Sequence, residues 1–216
     1  MKTKVYQFSL KEREKAAKIL DQVANLLQNG AIVPIPTETC YSIAIDATND
    51  AAAKRLNELG VKPGPTNPII VSDLRMAAEY MSLNPLAEKI THAFMPGPVT
   101  LVVDLLPDTK LSKNVFTEAA SFRISSNTFT RALASELGKP ITVSILADKP
   151  PLYKFKDLFD TFNEKVEAIV GSGDLPQVMP STVVDVRKAA PALIRQGPVP
   201  FSEITDLAVN LATITE

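Results

Sequence analysis

The stretch 34–41, Pro-Ile-Pro-Thr-Glu-Thr-Cys-Tyr, constrains the fold of this chain more than any other. It lies between two apolar runs, 31–33 and 43–45, that are typical of buried strands. Pro34 and Pro36 lack an N–H donor and cannot continue a central sheet ladder, so the first strand is predicted to stop here. Three side chains that carry oxygen then follow in succession. Open α/β sheets collect ligand groups at such strand ends; alternatively, the threonines bond only their own backbone.

Hydrophobic periodicity and turn residues divide the chain into alternating helices and strands. Helices are predicted from a capping box at 9–12 to a stop at 29–30, and over 50–59, 84–94, 129–137, 155–166 and 202–211. Strands are predicted over 31–35, 43–46, 69–71, 99–103, 122–124, 141–146, 167–170, 181–186 and 192–195. This alternation predicts an α/β protein with one domain over residues 1–216.

Composition narrows the classes of function. The formal net charge of -1 gives no overall field towards nucleic acid or membrane, although 23 basic residues leave room for a local basic cleft. One cysteine excludes an internal disulfide, and one histidine argues against histidine-based metal sites. No apolar run approaches the roughly 20 residues that span a bilayer, and the polar N-terminus is no secretory signal. We therefore expect a cytoplasmic protein without a membrane partner.

Four further segments place polar groups at strand ends or in proline-rich turns. They are Lys62-Pro63, the Phe-Met-Pro-Gly-Pro-Val-Thr run at 94–100, Ser144 with its loop, and the Pro-Ser-Thr-Val-Val-Asp run at 180–185. Together with the Pro-Thr-Glu-Thr turn, their order resembles the YrdC-like family, the threonylcarbamoyl-AMP synthases. That family shows P-T-E-T, K-x-R-P, P-G-P-x-T, R-x-P, S-A-N, S-T-V-V-D and L-R-x-G segments. The resemblance covers about residues 30–197.

The resemblance implies a twisted open mixed α/β sheet flanked by helices, with a large concave cavity, in a single-domain member. It implies that ATP, bicarbonate and L-threonine combine there into threonylcarbamoyl-adenylate and pyrophosphate, with Mg²⁺ accompanying ATP. The product would serve the N6-threonylcarbamoyl modification of tRNA adenosine 37, so tRNA or tRNA-modification proteins are implied partners. Such phosphoryl chemistry relies on positioning and electrostatic stabilisation and needs no covalent nucleophile.

Matching the motifs residue by residue implies a threonine side of the site. Arg123 would hold the threonine carboxylate and take part in catalysis, and Thr37 and Ser181 would contact threonine. Arg123 lies within an apolar strand, and a buried guanidinium must find an anion or several carbonyls. Ser181 opens a strand, where capping a turn is an equally good interpretation.

The same matching implies a nucleotide side. Lys62 would stand where the family has a phosphate-binding arginine, with a catalytic and nucleotide-binding role. Arg195 would contact the nucleotide, and a one-residue adjustment would bring Ser144 to the S-A-N serine. No metal site is predicted in the protein itself. The alternatives are a solvated charge for Lys62 and a surface position for Arg195.

The chain departs from the family pattern at the phosphate chemistry. K-x-R is here Gly60-Val61-Lys62, S-A-N aligns with Ile145-Leu146-Ala147, and the R-x-P proline is Ser125. Each lost charge-assisted contact is worth roughly 1.5–3 kcal/mol. Lys54 or Arg55 is a candidate for the missing cation.

These departures keep two other hypotheses open. One is a non-catalytic paralogue that binds a nucleotide or another small ligand. The other is a module that binds RNA, double-stranded RNA included, against which the neutral charge, the absence of Trp and the four Tyr argue.

Overall fold

The computed structural model describes residues 2–9, 12–61 and 67–212. The strands are β1 (Lys4–Gln7), β2 (Val33–Pro36), β3 (Tyr41–Ala44), β4 (Ile69–Ile70), β5 (Met81–Ser82), β6 (Val99–Leu105), β7 (Ala119–Arg123), β8 (Ile141–Thr142), β9 (Ala168–Gly171), β10 (Thr182–Asp185) and β11 (Ala192–Arg195). The helices are α1 (Arg13–Gln28), α2 (Asp50–Glu58), α3 (Leu74–Ala78), α4 (Pro85–Phe94), α5 (Thr128–Leu137), α6 (Phe155–Phe162) and α7 (Phe201–Ala212).

A mixed seven-stranded sheet forms the centre of the protein, in the order β11-β10-β6-β7-β4-β8, with β5 beside β6. The apolar strand β6 pairs parallel with β10 and antiparallel with β7, while β4 pairs parallel with β7 and antiparallel with β8. Phe122 and Leu101 are fully buried neighbours in this sheet. The predicted open mixed sheet with flanking helices is thus confirmed.

Strands β2 and β3 form a separate antiparallel hairpin. The predicted stop at the prolines is wrong by a short distance, because the strand includes both Pro34 and Pro36 and ends with the latter. Proline is tolerated here because β2 has a ladder partner on one side, so that the other side needs no donor. Bridges from Ile43 to Ser144 and from Asp46 to Ile141 connect the hairpin region to the segment around β8.

Local stop and start signals are confirmed at several helix ends. The Ser9 N–H donates to Glu12 Oε2 at 2.8 Å, which is one half of the predicted capping box. Helix α1 ends before Asn29, and Gly30 follows with a φ of +80°. Asn84 caps α4 by accepting the Ala87 N–H at 2.8 Å. Among the described residues, no helix combines the length and apolarity needed to cross a membrane.

Two predicted elements are too long. Helix α6 ends at Phe162 instead of 166, because the chain turns at Asn163 and Glu164 takes a left-handed φ of 65°. Strand β8 covers 141–142 instead of 141–146. The Val143 N–H still bonds to the carbonyl of Pro68, just before β4, but a proline has no N–H to continue the ladder, and Ser144 bonds to Ile43 instead. Short elements β1, α3 and β5 were not predicted; β1 depends on parallel pairing with β9, which is distant in sequence.

Candidate functional site

The Pro-Thr-Glu-Thr turn is closed by the hydroxyl of Thr37. Thr37 Oγ1 donates to the Cys40 carbonyl at 2.7 Å and accepts the N–H groups of Thr39 and Cys40, each at 3.2 Å. The hydroxyl is therefore committed to its own backbone, as in the second interpretation of this turn. These bonds give Thr37 a structural role in the turn, and the threonine-contacting role implied for it stays a prediction.

Arg123 lies at the end of β7 and is 3 % exposed. The anion that a buried guanidinium requires comes from the same turn, since Nη1 lies 3.4 Å from Glu38 Oε1. Its Nε has no hydrogen-bond partner among the described residues. Arg123 is thus buried, charged and only partly paired, as expected of a side chain that awaits a further anion.

Ser181 and Arg195 join Arg123 through the sheet. The parallel pairing of β10 with β6 brings Ser181 beside Thr100, and their hydroxyl oxygens lie 2.8 Å apart. Arg195, at the end of β11, donates from Nε to the Ser181 carbonyl at 3.0 Å and from Nη2 to Ser181 Oγ at 3.1 Å. Burial, and then the nearby charge of Arg123, lower the pKa of Arg195. The guanidinium groups of Arg123 and Arg195 are therefore near each other in a partly desolvated environment.

These side chains line a cleft of about 40 Å³. Its walls are formed by Thr39, Cys40, Ser42, Asn67, Pro68, Arg123, Val143, Ile145, Pro151, Pro180, Ser181 and Arg195. A second cavity of about 310 Å³ has Ser121 among its lining residues. Ser121 lies two residues before Arg123 on β7, so the two side chains are on the same face of the sheet. The single large cavity that the resemblance implies stays a prediction.

Ser144 takes a different position from the one implied. It lies between Val143 and Ile145, which line the cleft, whereas its own side chain lines a small pocket with Tyr41 and Leu152. Its hydroxyl has no hydrogen-bond partner among the described residues. Because neighbouring side chains of an extended segment alternate in direction, the Ser144 hydroxyl faces away from the cleft. The contact with the nucleotide implied for Ser144 stays a prediction.

The candidates for a phosphate cation have different outcomes. Lys62 lies outside the described residues, so its implied role stays a prediction. Arg55 donates from Nη2 to Glu167 Oε1 at 2.5 Å and from Nη1 to the Gly30 carbonyl at 3.2 Å. It is therefore occupied in a structural contact, and Lys54 is exposed on the same helix.

The part of the chain that the structure describes holds no group of three His, Cys, Asp or Glu side chains able to bind a metal ion. Among its described lining residues the cleft also offers no carboxylate. Mg²⁺ prefers oxygen ligands and commonly binds through substrate phosphates. The described residues therefore do not fit a resident Mg²⁺ site, and the expectation that Mg²⁺ accompanies ATP stays a prediction.

Signals for some of these residues were present in the sequence. Thr100 lies in the P-G-P-x-T segment, and Glu38 lies in the organising turn itself. Neither received a role, because only the sheet register shows that one side chain approaches Ser181 and the other Arg123.

Comparison with known proteins decides the family. The Sua5/YciO/YrdC family model, described as "Telomere recombination", matches residues 25–197. The chain belongs to this family. Within the Sua5/YciO/YrdC family, it is 28% identical over 193 residues to a threonylcarbamoyl-AMP synthase of Pyrococcus abyssi, covering 84% of this chain and 54% of the relative. It is 30% identical over 190 residues to a threonylcarbamoyl-AMP synthase of Bacillus subtilis, covering 85% of this chain and 54% of the relative.

The chain thus spans about half the length of these curated relatives. Among solved structures, Pyrococcus abyssi Sua5 complexed with L-threonine superposes with a TM-score of 0.80 at 23% identity, covering 96% of this chain and 61% of that one. At this identity the likeness establishes the Sua5/YciO/YrdC fold.

Proposed function

We propose that this chain forms threonylcarbamoyl-adenylate from ATP, bicarbonate and L-threonine. The observation that carries the proposal is the convergence of Arg123, Arg195 and Ser181, two cations and a hydroxyl, on one cleft of the Sua5/YciO/YrdC sheet. Relatives named threonylcarbamoyl-AMP synthase, and a Sua5 structure complexed with L-threonine, support this choice of substrate.

The proposed reaction joins three substrates and yields threonylcarbamoyl-adenylate, pyrophosphate and water. The threonine amine and bicarbonate form a carbamate and water; a carbamate oxygen then attacks the α-phosphorus of ATP, and pyrophosphate leaves. Every reactant carries negative charge near the reacting atoms, so fixed cations lower the barrier by electrostatic stabilisation.

The cleft residues take separate tasks in this reaction. Arg123, whose Nε is free among the described residues, would bind the threonine carboxylate, with Ser181 Oγ beside it. Arg195 would face the phosphate, because a planar guanidinium can bind phosphate oxygens in a bidentate manner. Lys62 would supply the further cation. Delivery of the product to tRNA modification is part of the same proposal.

The test is an assay of threonine-dependent pyrophosphate release with ATP, Mg²⁺, bicarbonate and L-threonine. Arg123→Ala should lower kcat/KM by roughly 10- to 100-fold, because it removes charge-assisted hydrogen bonds to the substrate. Lys62→Ala should also lower the rate. Arg75→Ala, which removes an exposed arginine from α3, is the matched control and should leave the rate unchanged.

The alternative of a ligand-binding paralogue gives a different result. It predicts no pyrophosphate release, although ATP or L-threonine still raises the melting temperature through binding to the folded state. Absence of both release and stabilisation would contradict any ligand role for this cleft. RNA binding that weakens steeply with salt would instead support the RNA-binding hypothesis.

A further inference from the structure

Glu38 is held from two sides. Ser125 Oγ donates a hydrogen bond to Oε2 at 2.5 Å, while Oε1 lies 3.4 Å from Nη1 of Arg123. Charge-assisted contacts between guanidinium and carboxylate groups are normally about 2.7–2.9 Å long. The distance between Glu38 and Arg123 is therefore longer than their opposite charges favour. Of the two contacts that the Glu38 carboxylate makes, the one to Ser125 is the shorter.

Burial makes this open geometry significant. The side chains of Arg123 and Glu38 are 4% and 14% exposed, so the attraction between the two charges is weakly screened. Glu38 Oε1 and Arg123 Nε are nevertheless both without a hydrogen-bond partner among the described residues. A carboxylate free to move would close on the guanidinium and satisfy both groups. Another contact must therefore keep the Glu38 carboxylate away from the guanidinium group.

Ser125 is itself well anchored. Its Oγ accepts the Asn127 N–H at 3.1 Å, and its carbonyl accepts a hydrogen bond from Arg131 Nη1 at 2.7 Å. Asn127 in turn caps helix α5 by accepting the Thr130 N–H. The serine hydroxyl is thus fixed to the start of a helix while its proton points to Glu38. A proline at this position, as in the R-x-P pattern, has no hydroxyl to donate.

We propose that Ser125 is a positioning residue that holds Glu38 back from Arg123 and so keeps the guanidinium available to an anion in the cleft. The proposal rests on the proposed function only for the identity of that anion, the carboxylate of L-threonine. Without the hydroxyl, Glu38 closes on Arg123 and competes with the substrate for the same donors.

The experiment is a double-mutant cycle on the full chain, with L-threonine affinity measured by calorimetry. Ser125→Ala should weaken L-threonine binding about tenfold, the scale of one hydrogen bond to a charged group. Ser125→Thr keeps the hydroxyl and should restore the affinity. In a Glu38→Gln background, Ser125→Ala should have no further effect, because the competing charge is gone. In the assay, KM for L-threonine should rise while kcat changes little.

Ser121→Ala is the matched control. Ser121 lies two residues before Arg123 on β7, is 1 % exposed, and has an Oγ without a partner among the described residues. It should leave the affinity unchanged. An equal loss from Ser125→Ala with and without Glu38 would overturn the proposal, because the serine would then act only through the start of α5. An unchanged affinity in Ser125→Ala would also overturn it.

A measurement without ligand separates this proposal from the proposed function. The Arg123 Nε–Hε resonance of the free protein should shift, and its exchange with water should slow, in Ser125→Ala but not in Ser121→Ala or Ser125→Thr. Wild-type protein that fails to bind L-threonine yet shows this pattern would contradict the substrate and support the positioning role. An identical resonance in all variants would refute the positioning role, whether or not L-threonine binds.

Discussion

Arg123 and Cys40 line the same cleft, and each is buried beside different polar neighbours. The buried guanidinium group of Arg123 has a carboxylate near it, because Glu38 Oε1 lies 3.4 Å from Nη1. Cys40 is 8 % exposed, and burial raises the pKa of its thiol, a change that the hydrogen bonds of Ser42 and Thr39 and the charge of Arg123 reduce without cancelling. The thiol therefore stays protonated at neutral pH.

Labelling of Cys40 tests this statement directly. The thiolate is the reactive form, so iodoacetamide at pH 7.5 should label the native protein at least about tenfold more slowly than free cysteine. In urea the rates should become equal, which is the internal control. Fast labelling of the native protein would contradict a protonated thiol and show that Arg123 stabilises the thiolate.

Residue-level prediction from the sequence succeeded where one physical requirement acts. An arginine inside an apolar strand needs a partner, so its burial beside an anion was predictable, although the identity of Glu38 was not. Thr37 and Ser144 were assigned from motif positions, whereas the structure shows Thr37 bonded within its own turn and Ser144 beside a second, small pocket. The direction in which a side chain points in a short, bent strand segment depends on the pairing register, which the sequence does not specify.

At the scale of single elements, Glu167 ties together three segments. Its carboxylate accepts the Ile32 N–H at 2.9 Å, just before β2, and a hydrogen bond from Arg55 of α2. Burial acts to raise the pKa of Glu167, but the Ile32 N–H and Arg55 outweigh it, so the pKa lies below the ordinary value. The carboxylate therefore contributes stability in its ionised form.

Glu167→Gln should lower the free energy of unfolding by about 1 kcal/mol at pH 7, a moderate value because Arg55 is partly exposed. Since the folded pKa is depressed, the contribution is full above the unfolded value and is lost as the pH falls through the folded one. The difference between wild type and variant should shrink between pH 5 and about pH 3. Urea unfolding at three pH values measures it, with Glu14→Gln on the exposed face of α1 as control. A constant difference would exclude the carboxylate charge as its cause.

Element prediction worked best where local chemistry sets a boundary. Asn29 with Gly30, and Asn84 with Pro85, marked helix ends that the structure confirms. Strand β1 was not predicted, because it depends on pairing with β9, which is distant in the sequence. The family resemblance predicted a mixed open sheet but no order of strands, since periodicity alone does not encode which strands are neighbours.

At the scale of the whole molecule, the cleft forms where backbone segments that are distant in sequence pack closely against each other. The Gly197 N–H donates to Thr182 Oγ1 at 3.1 Å, and a Cβ at Gly197 would collide with the backbone of Pro180, Ser181 and Thr182. The absence of a side chain at this one position therefore lets the chain after β11 approach the start of β10. Ser181 and Arg195 stand on either side of that approach.

Gly197→Ala should destabilise the fold by about 1–3 kcal/mol, as overpacking does, and should weaken L-threonine binding by displacing Ser181. Urea unfolding and calorimetry measure the two effects. Gly138→Ala is the comparison: Gly138 has a φ of +67° but open space around it, so the variant should cost about 1 kcal/mol and leave binding unchanged. Equal binding in both variants would show that the approach of these segments does not shape the cleft.

The cleft draws its side chains from residues 39, 123, 181 and 195, which lie on four separate segments of the chain. Folding must bring all four segments together, at a cost in loop-closure entropy, before the complete site can bind a ligand. We therefore expect the site to form late in folding. A fragment that lacks one of these segments therefore lacks part of the site. Anion affinity would then report completed folding, and a cell rich in the ligand would favour the finished protein over every unfinished form of it.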